Sequence, residues 1–103
     1  MGKNTMNEPL SDAVIAYLAK GRSPFPRADE DAVAPDAAPG TREALIAEVR
    51  AIVEECMGVP VDWSSMSLQE GGRHAQATMA DRHPDLSPAA LEALYWAFTY
   101  NWR

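Results

Sequence analysis

The chain has very little cysteine. Cys56 is the only one among 103 residues, so an intramolecular disulfide cannot form. Small secreted domains usually depend on disulfides, and this class is therefore excluded. No stretch approaches the ~20 consecutive apolar residues of a membrane-spanning helix, and the first ten residues lack the apolar segment of a signal peptide. We therefore expect a cytoplasmic protein with no membrane partner.

Basic residues are also few. Nine Lys and Arg against fifteen Asp and Glu give a net charge of -6 at pH 7, and the acidic excess is spread along the chain. Because no basic face can neutralise phosphates, we expect no nucleic-acid partner. An acidic surface suits a basic protein partner, although solubility alone also explains it. Arg outnumbers Lys and Ala is abundant, a bias typical of GC-rich bacterial genomes.

Metal-ligating side chains do not occur in a recognised spacing. His74 and His83 would lie about 13 Å apart in one continuous helix, so one metal ion cannot bridge them. Folding would have to bring Cys56 and Asp81 to the same place to complete a ligand set. We therefore predict no metal and no cofactor.

Catalytic patterns are missing as well. Ser64, His74 and Asp85 can be assembled into a triad on paper, but no glycine pattern of a nucleophile elbow frames the serine. Glu54 and Glu55 are adjacent and would point apart on a helix, which does not build a shared acid–base site. An enzyme acting alone is not indicated.

The N-terminal part predicts one short helix and a tether. A helix of about residues 11–20 is predicted, with Ser11 as its N-cap and Gly21 as the residue that ends it. Residues 21–40 contain four prolines and an acidic run, so no packed element is expected there. We predict that residues 1–40 form an arm with a flexible, acidic, Pro-rich linker.

Three longer helices are predicted in the rest of the chain, at about 41–57, 68–82 and 88–102. The first has one apolar face that includes Cys56, which predicts a buried core thiol. Ser67 and Glu70 form a capping box before the second, and Ser87 with Pro88 marks the start of the third. The fold class is therefore all-α, with residues 41–103 as a small helical domain.

Gly71 and Gly72 lie near the start of the second of these helices and offer two interpretations. A face of small residues permits close approach of another helix, whereas two glycines at a helix start can also receive an anion. The pair lacks a phosphate-loop pattern, which favours the packing interpretation.

The last helix carries five of the eight aromatic residues. Phe98 and Trp102 fall in one apolar wedge with Leu91, Leu94 and Tyr95, whereas Trp96 and Tyr100 project from nearly the opposite side. This second face needs a cover. The alternatives are the N-terminal helix of the same chain, a second copy in a homodimer, or a different protein.

These observations predict a small acidic protein–protein interaction or accessory protein of the regulatory, immunity, antitoxin or subunit type. The predicted partner-binding residues are Trp96, Tyr100, Glu92 and Arg103. One alternative is a helix-turn-helix-like DNA-binding regulator that uses Arg73 and Arg82. Another is a non-catalytic subunit of an enzyme complex, with His74 or His83 beside a site formed between chains.

Overall fold

The computed structural model describes residues 7–102, and all regular structure in that range is helical. The helices are α1 (Glu8–Leu18), α2 (Pro39–Met57), α3 (Leu68–Arg82) and α4 (Pro88–Trp102), and one short 3-10 turn covers Glu30–Ala32. The all-α prediction is confirmed, and α3 and α4 have the predicted bounds. No helix in the described range is both long and apolar enough to cross a bilayer.

Helix α4 lies at the centre of the molecule. It packs against α1, α2 and α3, and it buries Ala90, Ala93, Leu94, Ala97 and Phe98. A helix with neighbours on several sides needs more than one apolar face. The position of α4 between other helices of the same chain therefore accounts for part of its two-sided apolar pattern.

The start of α1 differs from the prediction. Asn7 is the N-cap, and its side-chain oxygen accepts a hydrogen bond from the backbone N–H of Leu10 at 3.1 Å. The predicted cap, Ser11, is wrong: this side chain is buried, and its hydroxyl accepts from the backbone N–H of Ser87 at 2.9 Å. The helix also ends earlier than predicted, at Ala19 in the left-handed conformation.

Part of the segment 21–40 is packed, which also corrects the sequence-based expectation. Val33 is fully buried in the core. The backbone N–H groups of Arg27 and Asp29 donate to carbonyls at the end of α1, at 3.1 and 2.8 Å. The guanidinium of Arg42 donates to the carbonyl of Val33 at 2.9 Å. These bonds hold the segment against α1 and α2.

The apolar side chains of α1 belong to the same core as those of the other helices. Leu10, Val14 and Leu18 lie in one cluster with Val49, Phe98 and the other buried residues. The proposed division of the chain at residue 40 stays a prediction.

Helix α3 approaches its neighbours closely at Gly71 and Gly72. A Cβ atom on Gly72 would lie 2.5 Å from Cγ2 of Thr99 in α4, and one on Gly71 would lie 2.7 Å from Cζ3 of Trp63. Only glycine fits at either position without a shift, so the packing interpretation is confirmed. The predicted capping box is confirmed too, with Glu70 N–H donating to Ser67 Oγ at 3.1 Å and Ser67 N–H donating to Glu70 Oε1 at 2.9 Å.

Cys56 lies on the buried face of α2, as predicted. Its side chain is fully buried, and burial raises the pKa of its thiol to about 12. A thiol that is neutral at physiological pH is a packing group rather than a nucleophile.

Candidate interaction surface

Four large apolar side chains are strongly exposed in the described part of the chain. They are Phe25, Trp63, Tyr100 and Trp102, with exposed fractions of 46, 40, 41 and 48%. They form two ring pairs: Phe25 stacks on Tyr100 with centroids 6.4 Å apart, and Trp63 lies 5.9 Å from Trp102. Each pair contains one residue from the last turn of α4. We call these four residues the aromatic end.

The Trp63–Trp102 pair is anchored on the core. Both indole rings lie against the buried ring of Phe98, at centroid distances of 6.1 and 6.2 Å. Trp63 also covers Gly71, whose missing side chain leaves room for the indole ring. The pair therefore presents a supported aromatic surface to solvent rather than two mobile side chains.

A turn at Asp62 positions Trp63. The Asp62 carboxylate accepts hydrogen bonds from the backbone N–H of Ser64 at 3.1 Å and from the Ser65 hydroxyl at 3.0 Å. Hydrogen bonds from Ser64 and Ser65 lower the pKa of the Asp62 carboxyl, so it stays ionised over a wide pH range. This local network fixes the backbone next to Trp63.

The Phe25–Tyr100 pair brings the Pro-rich segment onto α4. The Ser23 hydroxyl donates to the Phe25 carbonyl at 2.7 Å and accepts from the Phe25 N–H at 3.3 Å. Prolines flank Phe25 on both sides, and we call residues 24–26 the Pro-Phe-Pro segment. The segment contacts Tyr100 from the same chain, so the second face of α4 is covered in part intramolecularly.

The predicted pair of Trp96 and Tyr100 divides between two environments. Trp96 is half-buried and packs against the core, whereas Tyr100 is exposed and stacks on Phe25. Trp102 was expected on the core-facing wedge, yet almost half of it is exposed because it lies in the last helical turn. Phe25, Trp63 and Trp102 were not predicted as surface residues.

A narrow cavity lies beside the aromatic end. It has a volume of ≈ 250 Å³ and is lined by Tyr95, Trp96, Thr99 and Tyr100 of α4 together with Pro24, Leu68 and Gln69. We call it the aromatic slot. Among the described residues, neither the indole N–H of Trp96 nor the side-chain amide of Gln69 has a hydrogen-bond partner. The slot is therefore lined by aromatic rings and by two residues whose side-chain donors have no partner in the described part of the chain.

Glu92, another predicted partner-binding residue, is held by α3. Its carboxylate accepts from Gln76 Nε2 at 3.0 Å and from Arg73 Nη1 at 2.7 Å. Hydrogen bonds from these two side chains lower the pKa of the Glu92 carboxyl. The guanidinium of Arg73 also lies 3.7 Å from the centre of the Tyr95 ring. Arg103, the fourth predicted residue, lies outside the described residues.

Both arginines needed for the DNA-binding alternative are paired with carboxylates. Arg73 pairs with Glu92, and Arg82 Nη1 lies 2.8 Å from Glu55 Oε2. A phosphate would have to compete with these intramolecular partners. The arrangement does not favour a DNA-binding surface on α3.

The side chains considered for metal binding or catalysis do not come together in the fold. His83 Nε2 lies 2.9 Å from Glu55 Oε1, and the Ser64 hydroxyl bonds to Asp62 rather than to a histidine. Within residues 7–102, no three His, Cys, Asp or Glu side chains are grouped to hold a metal ion. The Glu55 carboxylate accepts from both Arg82 and His83, a contact that the sequence does not predict.

A second groove has an acidic rim. It has a volume of ≈ 490 Å³ and lies between α1, the 3-10 turn and α2, with Glu8 and Asp12 on α1 and Leu45 on α2 among its lining residues. The rest of the lining consists of alanines and prolines, and no described Lys or Arg contributes to it. The groove adds local negative charge to an already acidic protein.

Comparison with known proteins gives no relative for this chain. No family model, curated protein or solved structure matches it. Functional inference therefore depends on the surface just described.

Proposed function

We propose that this chain is a small protein-binding accessory protein that engages its partner through the aromatic end. The observation that carries the proposal is that all four strongly exposed large apolar residues in the described range form two ring pairs, each of which includes one residue from the last turn of α4. Tryptophan and tyrosine are enriched among the residues that dominate binding energy at protein interfaces. The proposal keeps Tyr100 from the predicted set and adds Phe25, Trp63 and Trp102.

The amount of exposed aromatic surface supports a binding role. Covering about 100 Å² of each ring at ~25 cal/mol per Å² contributes roughly 2.5 kcal/mol per residue, before the cost of association. The Trp63–Trp102 pair is already supported by Phe98, so little side-chain freedom remains to be lost on binding. An ordered aromatic surface of this kind is suited to a partner with an apolar patch.

Charge further defines the partner. Four of the basic residues are engaged by carboxylates within the chain, namely Arg22, Arg50, Arg73 and Arg82. The remaining acidic excess favours a partner with basic residues around its apolar patch and raises the rate of encounter. We place the protein in a bacterial cytoplasm and in the regulatory, immunity, antitoxin or subunit class of small proteins, which act by binding.

The test compares captured partners between variants that retain the fold. Phe25→Ser and Trp102→Ser each remove one ring from one pair, and Ala47→Ser with Ala51→Ser changes only the exposed face of α2. Proximity labelling in the source cell should show proteins enriched by the wild type and the α2 variant but lost in the ring variants. If the wild type, the α2 variant and both ring variants enrich the same partners equally, the proposal is contradicted.

Self-association is checked in parallel. Sedimentation of the purified wild type measures whether a dimer forms, and the same ring variants show whether the aromatic end mediates it. A dimer abolished by Trp102→Ser would identify a second copy as the partner. A dimer unaffected by both ring variants would count against the aromatic end as the interface.

A further inference from the structure

The aromatic slot suggests what chemistry the partner presents. We propose that it docks a proline-rich segment of a partner protein in the extended polyproline conformation. This inference rests on the proposed function, because it names the partner's chemistry at a site that adjoins the aromatic end.

The chain's own Pro-Phe-Pro segment already lies on this surface. Pro24 forms one wall of the slot, and Tyr100 lines both the slot and the adjoining groove that contains Pro26 and Ala97. Between them, Phe25 stacks on Tyr100. The surface of α4 therefore accepts prolyl and aromatic rings in the native fold, and the slot continues the same surface beyond Pro24.

The donors of the slot match the acceptors of a prolyl backbone. Proline has a backbone carbonyl but no N–H, so a proline-rich segment offers acceptors only. No buried polar side-chain atom of the described chain lacks a partner, so the unpaired indole N–H of Trp96 must be accessible to solvent. Trp96 and Gln69 both line the slot, and the Gln69 side-chain amide also has no hydrogen-bond partner among residues 7–102.

Other backbone conformations fit these donors less well. A helix uses most of its carbonyls internally, whereas a polyproline segment forms no internal hydrogen bonds and presents all of them. Its restricted backbone also loses little entropy on binding, and aromatic grooves recognise it for this reason. The cavity is smaller than the usual ~300–1,000 Å³ of a small-molecule site, which suits a few prolyl rings better than a cofactor.

The first experiment is a titration of the full ¹⁵N-labelled chain with acetylated, amidated hexaproline. We expect saturable shifts of the Trp96 indole signal and of the backbone amides around Gln69 and Thr99. A glycine–serine hexapeptide with the same end groups should leave these signals unchanged. If millimolar hexaproline shifts none of them, or if both peptides shift them equally, the proposal is overturned.

One substitution tests the hydrogen bond directly. Trp96→Phe keeps an aromatic ring but removes the N–H donor, and should weaken hexaproline binding roughly threefold to tenfold. The control is the double variant Ala47→Ser with Ala51→Ser on the exposed face of α2, outside the slot, and it should leave the affinity unchanged. Equal weakening by the two proteins would overturn the assignment of the slot.

A third variant covers the case in which Trp96→Phe disturbs the core. Gln69 is exposed in the first turn of α3, so Gln69→Ala should preserve the unfolding midpoint while reducing hexaproline affinity by a similar factor. Unchanged affinity in a folded Gln69→Ala variant counts against the proposal.

The two proposals fail separately. If Trp102→Ser abolishes partner capture but hexaproline does not bind, the aromatic end remains an interface and the polyproline inference is wrong. If hexaproline binds through Trp96 while Phe25→Ser and Trp102→Ser leave capture unchanged, the slot is supported and the aromatic end is not.

Discussion

The hydroxyl of Ser11 accepts a hydrogen bond from the backbone N–H of Ser87 at 2.9 Å, across a sequence separation of 76 residues. Ser87 in turn caps α4 by accepting from the backbone N–H of Ala90 at 3.1 Å. The start of the central helix is thus connected to the first turns of α1. This bond makes the N-terminal segment part of the folded core.

Replacing Ser11 by Ala should destabilise the protein by about 1–3 kcal/mol, because the N–H of Ser87 loses its only acceptor among residues 7–102 in a partly buried position. Urea unfolding followed by circular dichroism measures the change. Ser65→Ala removes an exposed hydroxyl and should have a much smaller effect. Equal effects of the two substitutions would show that the buried bond contributes nothing specific.

Replacing Asn7 by Ala tests the corrected helix start. The lost cap should lower the unfolding free energy by about 1 kcal/mol, because the N–H of Leu10 loses its side-chain acceptor. The same urea experiment gives the value. A neutral Asn7→Ala variant would argue against Asn7 as the cap.

Gly72→Ala should destabilise the protein, although alanine normally favours a helix by roughly 1 kcal/mol over glycine. The new Cβ atom would meet the side chains of Thr99 and Tyr95 at 2.5 and 2.7 Å, so these side chains or the two helices would have to shift. Gly40→Ala is the matched control, since nothing lies within 4 Å of its Cβ position in the first turn of α2. Thermal unfolding should show a lower midpoint for Gly72→Ala only.

The contact of Glu55 with His83 and Arg82 should contribute to the acid sensitivity of the fold. Hydrogen bonds from His83 and then from Arg82 lower the pKa of the Glu55 carboxyl in the folded state. A lowered folded-state pKa contributes stability that is present above the unfolded-state pKa and is lost as pH falls through the folded-state value. The contribution is small, up to about 1 kcal/mol, because the pair is partly exposed.

Glu55→Gln should therefore reduce the unfolding free energy near neutral pH and have less effect at acidic pH, where the wild-type carboxyl is protonated. Glu54→Gln is the neighbouring control, because Glu54 forms no ion pair with a described cation. Urea unfolding over a series of pH values measures both. A constant difference between wild type and Glu55→Gln at every pH would contradict the prediction.

Cys56 should resist alkylation in the folded protein, because its thiol is fully buried and its pKa is raised to about 12. We expect slow reaction with iodoacetamide at mildly alkaline pH and rapid reaction in denaturant. Mass spectrometry over time gives both rates. Fast labelling of the folded chain would place Cys56 at a more open site than the structure shows.

Local sequence signals were enough to predict where α3 and α4 begin and end. The reciprocal capping box of Ser67 and Glu70, and the pairing of Ser87 as N-cap with Pro88, act within one helical turn, so they do not depend on the rest of the fold. The burial of Cys56 was also predictable, because the apolar periodicity of α2 identifies the face that meets the core.

The start of α1 and the surface around α4 depended on contacts between distant segments. Asn7 and Ser11 are both good N-caps, and the Ser11 hydroxyl is instead engaged by Ser87 from the other end of the chain. Likewise, the apolar pattern of α4 showed two apolar faces, but not that Trp96 would pack against the core while Tyr100 stays exposed beside Phe25. Trp63 and Trp102 are far apart in sequence yet meet in the fold, where the indole of Trp63 lies over Gly71 of α3. Side-chain periodicity describes one helix at a time, whereas the solvent exposure of a ring depends on which other segments reach it.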